Sequence, residues 1–351
     1  MELRRCGTSD LALSALGMGC WAFGGGEYWG KQDQSDVNDV VCAAVDLGLN
    51  YFDTAEAYND GRSESALGEA LAGVPREKVL IGTKVSPSNA RPATLTEHCE
   101  ASLRRLRVDY IDLYMVHWPI TRIGIKHFTS DPGLIENPPS VAEAFATLGQ
   151  LRQQGKIRYV GVSNFGVDKL DEARASGVPI VVNELPYSLL ARAIECAVLP
   201  HCHRLGVGVI GYMPLLQGLL AEIYPTLNDV PVMQQRTRHF DSRRPGSLAR
   251  HGGPGAEQET DEAIEAIRGL ARANGTKVPD LAIRWAMGGP GLASVLAGSR
   301  SVAELKANVA SARQPLDPGL RTKLNAVTQP LLAKLGPSFD YYENPKDDRT
   351  S

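Results

Sequence analysis

Eight short apolar segments alternate with amphipathic ones along this chain, and that alternation restricts the fold more than any other feature. The apolar segments are "LGMGCW", "LNYFDT", "VLIGTKV", "IDLYMVHW", "IRYVGVSN", "IVVNEL", "GVGVIGYM" and "ASVLAGS". Between them stand runs with helical spacing such as "QSDVNDVVCAAVDLG", "SESALGEALAG", "TLTEHCEASLRRL", "VAEAFATLGQLRQQG", "DKLDEARASG" and "TDEAIEAIRGLARANG". Several of these close on a Gly, as helix C-termini do. Strands that are apolar along their whole length are buried on both faces, the habit of a parallel sheet covered by helices. Eight such units close into a (β/α)8 barrel, the TIM-barrel fold. An open doubly wound sheet is the alternative, but no GxGxxG follows the first strand. The glycine cluster "FGGGEYWG" does follow it, and reads as a flexible loop leading into a polar helix start.

A length of 351 residues suits one large barrel with extensions, so residues 1–351 read as a single domain. Residues 1–16 hold two short alternating runs around "GTSD" and read as an N-terminal β-hairpin placed to plug the barrel's bottom. Residues 120–140 and 219–255 are long loops after the fourth and seventh strands, at the C-terminal face of the barrel, and 336–351 form a C-terminal tail. Loops this long in a compact domain are functional or disordered.

Composition narrows the classes further. With 43% hydrophobic and 22% charged residues the chain can bury a large core. A net charge of -3 supplies no field that would draw nucleic acid. The six cysteines show no CxxC pair or framework spacing, which suits the reduced thiols of the cytoplasm. The start, "MELRRCGTSD", has no apolar signal core, and no apolar run is long enough to span a bilayer. The expectation is a cytoplasmic protein with neither membrane nor nucleic-acid partner.

In a barrel of this kind the chemistry sits at the C-terminal ends of the strands. The second strand ends in Asp53, the third in Lys84, the fourth in His117, and Tyr58 lies on the loop just after the second. Each has an ordinary structural reading: a capping Asp, a snorkelling Lys, a hydrogen-bonded His, a half-buried Tyr. At successive strand ends, however, four ionisable groups from three adjacent units meet at one mouth.

These residues stand in motifs that resemble the aldo-keto reductases. "LGMGCW", "FDTAEAYNDGRSESALGEAL", "GTKV", "SLRRLRVDYIDLYMVHWP", "GKIRYVGVSNF" and "GSRSVAELKAN" occur in that family's order and spacing over nearly the whole chain. The resemblance implies a barrel that binds a nicotinamide cofactor without a Rossmann domain and reduces carbonyls reversibly by hydride transfer. The catalytic tetrad it implies is Asp53, Tyr58, Lys84 and His117. Hydride delivered to a carbonyl carbon leaves negative charge on oxygen, so a proton donor and hydrogen-bond donors must stand beside it. Tyr58 is the expected donor. Lys84 is expected to lower the phenol's pKa, Asp53 to hold Lys84, and His117 to orient the carbonyl.

The same resemblance implies a cofactor site. Ser163 and Asn164 would meet the nicotinamide carboxamide and Tyr212 would stack on its ring. Leu215, Gln217 and Gly218 would run beside the pyrophosphate, while Gly298, Ser299, Arg300 and Asn308 would form the adenosine end, where helix-start N–H groups suit a phosphate. Two positions depart from the pattern. Glu184 replaces a common Gln that touches the carboxamide; a carboxylate accepts from the amide but cannot donate to its carbonyl. Glu304 stands where Arg or Gln is common, and disfavours a 2′-phosphate that Arg300 would favour. The expected cofactor is NADP(H), with NAD(H) open.

Trp21 and Trp118 match the aromatic walls of the family's substrate pocket, which suits sugars, polyols or small aldehydes. The loop 120–140, with Arg122, Lys126 and His127, is expected to cap that pocket. The basic stretch from Arg236 to Arg250 is either a phosphate clamp or a solvated loop. Cys196, His201, Cys202 and His203 lie close in sequence, but their spacing fits no zinc pattern and no metal is expected. A second functional class stays open: a cofactor-binding regulatory subunit resembling the potassium-channel β subunits. The physiological direction, and whether the chain is a monomer or homo-oligomer, are not legible.

Overall fold

The computed structural model describes residues 1–351. Two short strands, β1 (Leu3–Arg5) and β2 (Ala12–Ser14), form an antiparallel hairpin. The next eight close into one parallel barrel: β3 (Leu16–Gly19), β4 (Tyr51–Asp53), β5 (Leu80–Val85), β6 (Ile111–Val116), β7 (Ile157–Ser163), β8 (Ile180–Pro186), β9 (Gly208–Tyr212) and β10 (Leu292–Gly298). They follow one another in chain order, and β10 pairs with β3 to seal the ring. The (β/α)8 barrel is therefore the observed architecture. All six residues of β6 are buried, as a strand with a core on both faces requires.

Around the ring lie α1 (Gln34–Asp46), α2 (Arg62–Ala70), α3 (Pro92–Leu106), α4 (Arg122–Ile125), α5 (Pro132–Glu136), α6 (Val141–Gln153), α7 (Val167–Arg174), α8 (Val198–Leu205), α9 (Glu257–Ala273), α10 (Val278–Met287), α11 (Val302–Ala312) and α12 (Pro318–Leu335). The main core fills the space between strands and helices. A smaller inner cluster, including Leu113, Met115, Val182 and Ile210, fills the barrel itself. Cys6, Leu11 and Leu13 of the hairpin belong to that inner cluster, so the hairpin stoppers the end opposite the strand C-termini.

The stopper sits flush because Gly208 at the start of β9 has no side chain. A Cβ there would lie 2.6 Å from Cys6 Cα and 2.8 Å from the Gly7 nitrogen, both main chain and unable to swing aside. Gly208→Ala is expected to cost about 1–3 kcal/mol by overpacking. A urea midpoint unchanged from the parent chain would show that the hairpin contact contributes nothing.

Several segments add to or differ from the sequence reading. The helices α10 and α12 stand outside the eight-unit alternation; α10 lies between the seventh unit's helix and β10, and α12 packs on α9. Residues 120–140 are not bare loop, since they carry α4 and α5. The "FGGGEYWG" segment is a built turn, not a plain loop: Gly26 and Gly30 bridge, and Arg300 donates to the carbonyls of Trp29 (2.7 Å) and Lys31 (2.5 Å). The stretch 219–255 does lack α-helix, yet it is pinned by its own arginines. Arg238 donates to the Leu335 and Ser338 carbonyls, Arg243 pairs with Asp241, Arg244 with Glu257, and Arg250 with Glu343. The tail from residue 336 is tied to the body as well, with the buried pair Arg349–Asp340 at 2.7 Å and the Gly166 N–H donating to the Thr350 carbonyl. No helix is long and apolar enough to cross a membrane.

Candidate active site

Four of the expected residues come together at the C-terminal mouth. Asp53 ends β4, Lys84 is the penultimate residue of β5, and His117 immediately follows β6. Lys84 Nζ donates to both Asp53 oxygens at 2.8 and 2.6 Å, to the Thr54 carbonyl at 3.0 Å and to Tyr58 Oη at 3.4 Å. The His117 ring meets the Tyr58 ring edge-on with centroids 5.5 Å apart. Tyr58 is aimed inward by a tight turn: Asn59, Asp60 and Gly61 all have positive φ, and the Asn59 side chain donates to the carbonyls of Trp21 and Phe23, both at 2.9 Å. Asn and Asp tolerate this left-handed backbone better than other residues with side chains.

A fifth ionisable side chain joins them. Glu184 on β8 approaches Lys84 at 3.2 Å, so one ammonium faces two carboxylates. Beneath them Tyr51 Oη donates to Asp53 at 3.4 Å, in space left by Gly82, where a Cβ would lie 2.2 Å from that hydroxyl. Glu184 was expected at the carboxamide position; its contact with Lys84 was not. The signal was available in the alternation of β8, which turns Val182 and Glu184 inward together.

Burial dominates the electrostatics. Lys84 is fully enclosed, and burial alone would favour its neutral form, but Asp53 and then Glu184 outweigh it and hold the ammonium charged. Burial raises Asp53 against the pull of Lys84, and lifts Glu184 well above the carboxylate range with Asp53 pushing the same way. Tyr58 departs from the sequence expectation: burial raises its phenol above the usual value, and Lys84 offsets only part of that rise. Its neutral form therefore dominates at neutral pH. Burial, followed by Lys84, His127 and Arg349, drives His117 well below its usual value, leaving a neutral imidazole whose Nδ1 is buried without a partner.

The expected cofactor residues fall into two groups. Ser163, Asn164, Glu184 and Tyr212 converge beside the cluster. Tyr212 Oη donates to Asn164 Oδ1 at 2.7 Å, and the Asn164 amide donates to the His117 carbonyl and to Ser163 Oγ. Leu215, Gln217 and Gly218 lie on the turn after β9, where Leu216, Gln217 and Gly218 have positive φ and Gln217 donates to Tyr342 at 2.7 Å. From the middle of α11, Asn308 reaches back to donate to Ser299 Oγ at 3.1 Å and, at 3.5 Å, to the carbonyl of Gly298. Glu304 accepts from the Arg300 N–H at 2.8 Å while Ser301 Oγ accepts from the Glu304 N–H, so this helix start is already partly capped from within. The Arg300 guanidinium is committed to the 29–31 turn.

Aromatic side chains wall the opening. Trp21 faces Tyr58 at 5.9 Å, stacks on Tyr28 at 4.8 Å and meets Trp29 edge-on at 5.2 Å. On the other side His127 and Phe128 lean toward His117, placing the 120–140 segment over the site as expected. Trp118 is not an open apolar face, because the Arg349 guanidinium lies 3.9 Å from its ring centroid. Arg236 covers Tyr28 at 4.9 Å and, unlike Arg243, Arg244 and Arg250, has no carboxylate partner. No three His, Cys, Asp or Glu side chains converge as metal ligands; His201 is bonded to Asp171 at 2.7 Å on the outer helix α8.

Comparison with known proteins shows the family and the fold. The Aldo/keto reductase family profile matches residues 15–327. An NADH-specific methylglyoxal reductase of Escherichia coli is 32% identical over 324 residues, spanning 87% of this chain and 91% of the relative. The solved glycerol dehydrogenase of Gluconobacter oxydans is 28% identical, with a TM-score of 0.74 over 95% of this chain and 96% of its own. An aldo-keto reductase of Klebsiella pneumoniae solved with NADPH shares the fold, at 24% identity and a TM-score of 0.68 over 100% of this chain and 99% of its own. The chain belongs to the aldo/keto reductase family, NAD(P)-dependent oxidoreductases that interconvert carbonyl and hydroxyl groups.

Proposed function

We propose that residues 1–351 act as one catalytic unit that reduces a small aldehyde, sugar or polyol-derived carbonyl, with Tyr58 as the proton donor. The observation that carries this reading is the buried chain of contacts from Asp53 through Lys84 to Tyr58, with neutral His117 against the phenol. The residues fit a nicotinamide: Glu184 Oε2 is buried without a partner, beside Ser163, Asn164 and Tyr212. These four would hold the nicotinamide end, Leu215, Gln217 and Gly218 the pyrophosphate, and Gly298, Ser299, Arg300, Glu304 and Asn308 the adenosine end. When bound, the cofactor supplies the hydride.

The protein's own groups then handle charge and protons. Trp21 would face the substrate directly, while Trp118 would act on it only through the Arg349 guanidinium that covers its ring. His117, neutral and with one nitrogen free, donates to the carbonyl oxygen and fixes its direction. As negative charge develops there, Tyr58 passes its proton to the oxygen, and Lys84 stabilises the phenolate that remains. Asp53 keeps Lys84 charged and in place. The aromatic cage of Trp21, Tyr28 and Trp29 shields this site from water, and a small carbonyl compound is the class named for the E. coli relative.

The test is absorbance at the reduced-nicotinamide band with NADPH and NADH against methylglyoxal, aldoses and aromatic aldehydes. Absence of turnover with every carbonyl would sink the reading. We propose NADP(H) as the cofactor, with NAD(H), named for the E. coli relative, as the competing form. Glu304→Gln removes a carboxylate from the first turn of α11 without replacing it by a cation. It is expected to lower KM for NADPH about two- to fivefold, the scale of one charge at a helix start, with little change for NADH. An equal change for both cofactors would place Glu304 away from the 2′ position.

A further inference from the structure

Two carboxylates and one ammonium leave an unbalanced charge in the most enclosed part of the site. Asp53, Lys84 and Glu184 are 3%, 0% and 2% exposed. The other titratable groups around Glu184 are Tyr51 on β4, Tyr58 on the turn after it and Tyr212 on β9, none of them a cation. Lys84 is thus the only positive charge in the cluster. Its hydrogen bonds go to Asp53, the Thr54 carbonyl and Tyr58, and Glu184 meets it as an ion pair at 3.2 Å. One oxygen of Glu184 lies 3.2 Å from Lys84, and the other, Oε2, has no hydrogen-bond donor.

We propose that Asp53 and Glu184 share a single proton around Lys84, and that binding of the oxidised, cationic nicotinamide releases it, so that Glu184 makes this chain favour the oxidised cofactor. The inference rests on the nicotinamide reading given above. With both carboxyls ionised the cluster carries one net negative charge, and like charges in a buried shared site do not both ionise without compensation. One retained proton makes the cluster neutral, which matches an uncharged reduced nicotinamide ring. An oxidised ring brings one positive charge, and the neutral arrangement is then two carboxylates, one ammonium and one pyridinium. The two redox forms of the cofactor thus select cluster states that differ by one proton. That proton goes to solvent when the oxidised form binds; no bond other than the carboxyl O–H breaks. The raised values of both carboxyl groups agree with a retained proton. A Gln at 184 would be neutral in either state and would have no such preference.

Calorimetric titration in buffers of different ionisation enthalpy measures the proton directly. Wild type is expected to release about one proton more with NADP+ than with NADPH near neutral pH. The 2′-phosphate is common to both and cancels in the difference. Glu184→Gln is expected to abolish that difference and to weaken NADP+ relative to NADPH about tenfold, the equivalent of one pKa unit. Tyr58→Phe is expected to keep the release, because the proton does not come from the phenol. Loss of the release in Tyr58→Phe, or its persistence in Glu184→Gln, would overturn the proposal. So would equal proton counts for the two cofactors in wild type, although the nicotinamide reading would survive. Binding of neither cofactor would remove that reading and this inference with it.

Discussion

Tyr58→Phe is expected to lower kcat and kcat/KM for carbonyl reduction together by about 10²–10⁴-fold, the range of positioned general acids. The substitution keeps the ring, so the edge contact with His117 and the facing contact with Trp21 survive and the pocket keeps its shape. Only the hydroxyl that Lys84 reaches is lost. A proton donor acts where charge develops, not in the ground state, so both constants should fall equally and nicotinamide binding should persist. The pH dependence carries a second sign. Burial raises the phenol against the counter-pull of Lys84, so its acid form, the one reduction needs, dominates from acid to neutral pH. Reduction should stay level there and decline only in alkali. Alcohol oxidation, which needs the phenolate as base, should climb as pH rises. A loss below about tenfold in Tyr58→Phe would move the donor to His117 or to water.

The difference between Tyr58 as read in the sequence and as folded shows what local pattern carries. The strand ends at Asp53, Lys84 and His117 were legible because side-chain alternation and apolar runs are local, and a closed barrel forces successive strand ends to share one mouth. The direction of the phenol's shift was not legible. It depends on how far Trp21 and the 120–140 segment close over Tyr58 and His117, and the contact of Trp21 with Tyr58 joins residues far apart in the chain. Glu184 shows the same limit. Its departure from the family pattern was visible, but its distance to Lys84 depends on β5 and β8 facing each other across the ring, three strands apart. Arg349 over Trp118 joins the last residues of the chain to the fourth unit's strand end, which no spacing rule anticipates. The helix α12 was missed for a different reason. Its start carries Asp317 as cap and Pro318 at the first position, but Pro330 inside it argues against a helix of that length.

Lys84→Met is expected to destabilise the fold by about 3–5 kcal/mol at neutral pH, the cost of orphaning a buried ionic partner. Met fills much of the same space with an apolar chain, so the effect isolates the charge. What it leaves behind is Asp53 and Glu184, both enclosed, with the cation that faced them gone. Each can then stay in the folded protein only by binding a proton, and the folded-state values, already raised in wild type, rise further. The sign follows from linkage. Groups whose folded values lie above the unfolded ones contribute stability that is fully present below the unfolded carboxylate range and is lost as pH rises through the folded values. Urea unfolding should therefore show a deficit that is small near pH 4 and widens toward alkali, on top of the wild-type curve. Wild type should decline over the same span too, since Asp53 and Glu184 are already raised there, but less steeply, because the charged Lys84 lowers the cost of ionising them. A deficit independent of pH would mean that the carboxyls are hydrated or paired elsewhere and that Lys84 is not their common counter-ion. If the widening is found, the ammonium that prepares Tyr58 for proton transfer is also the charge that lets this barrel close over two acids.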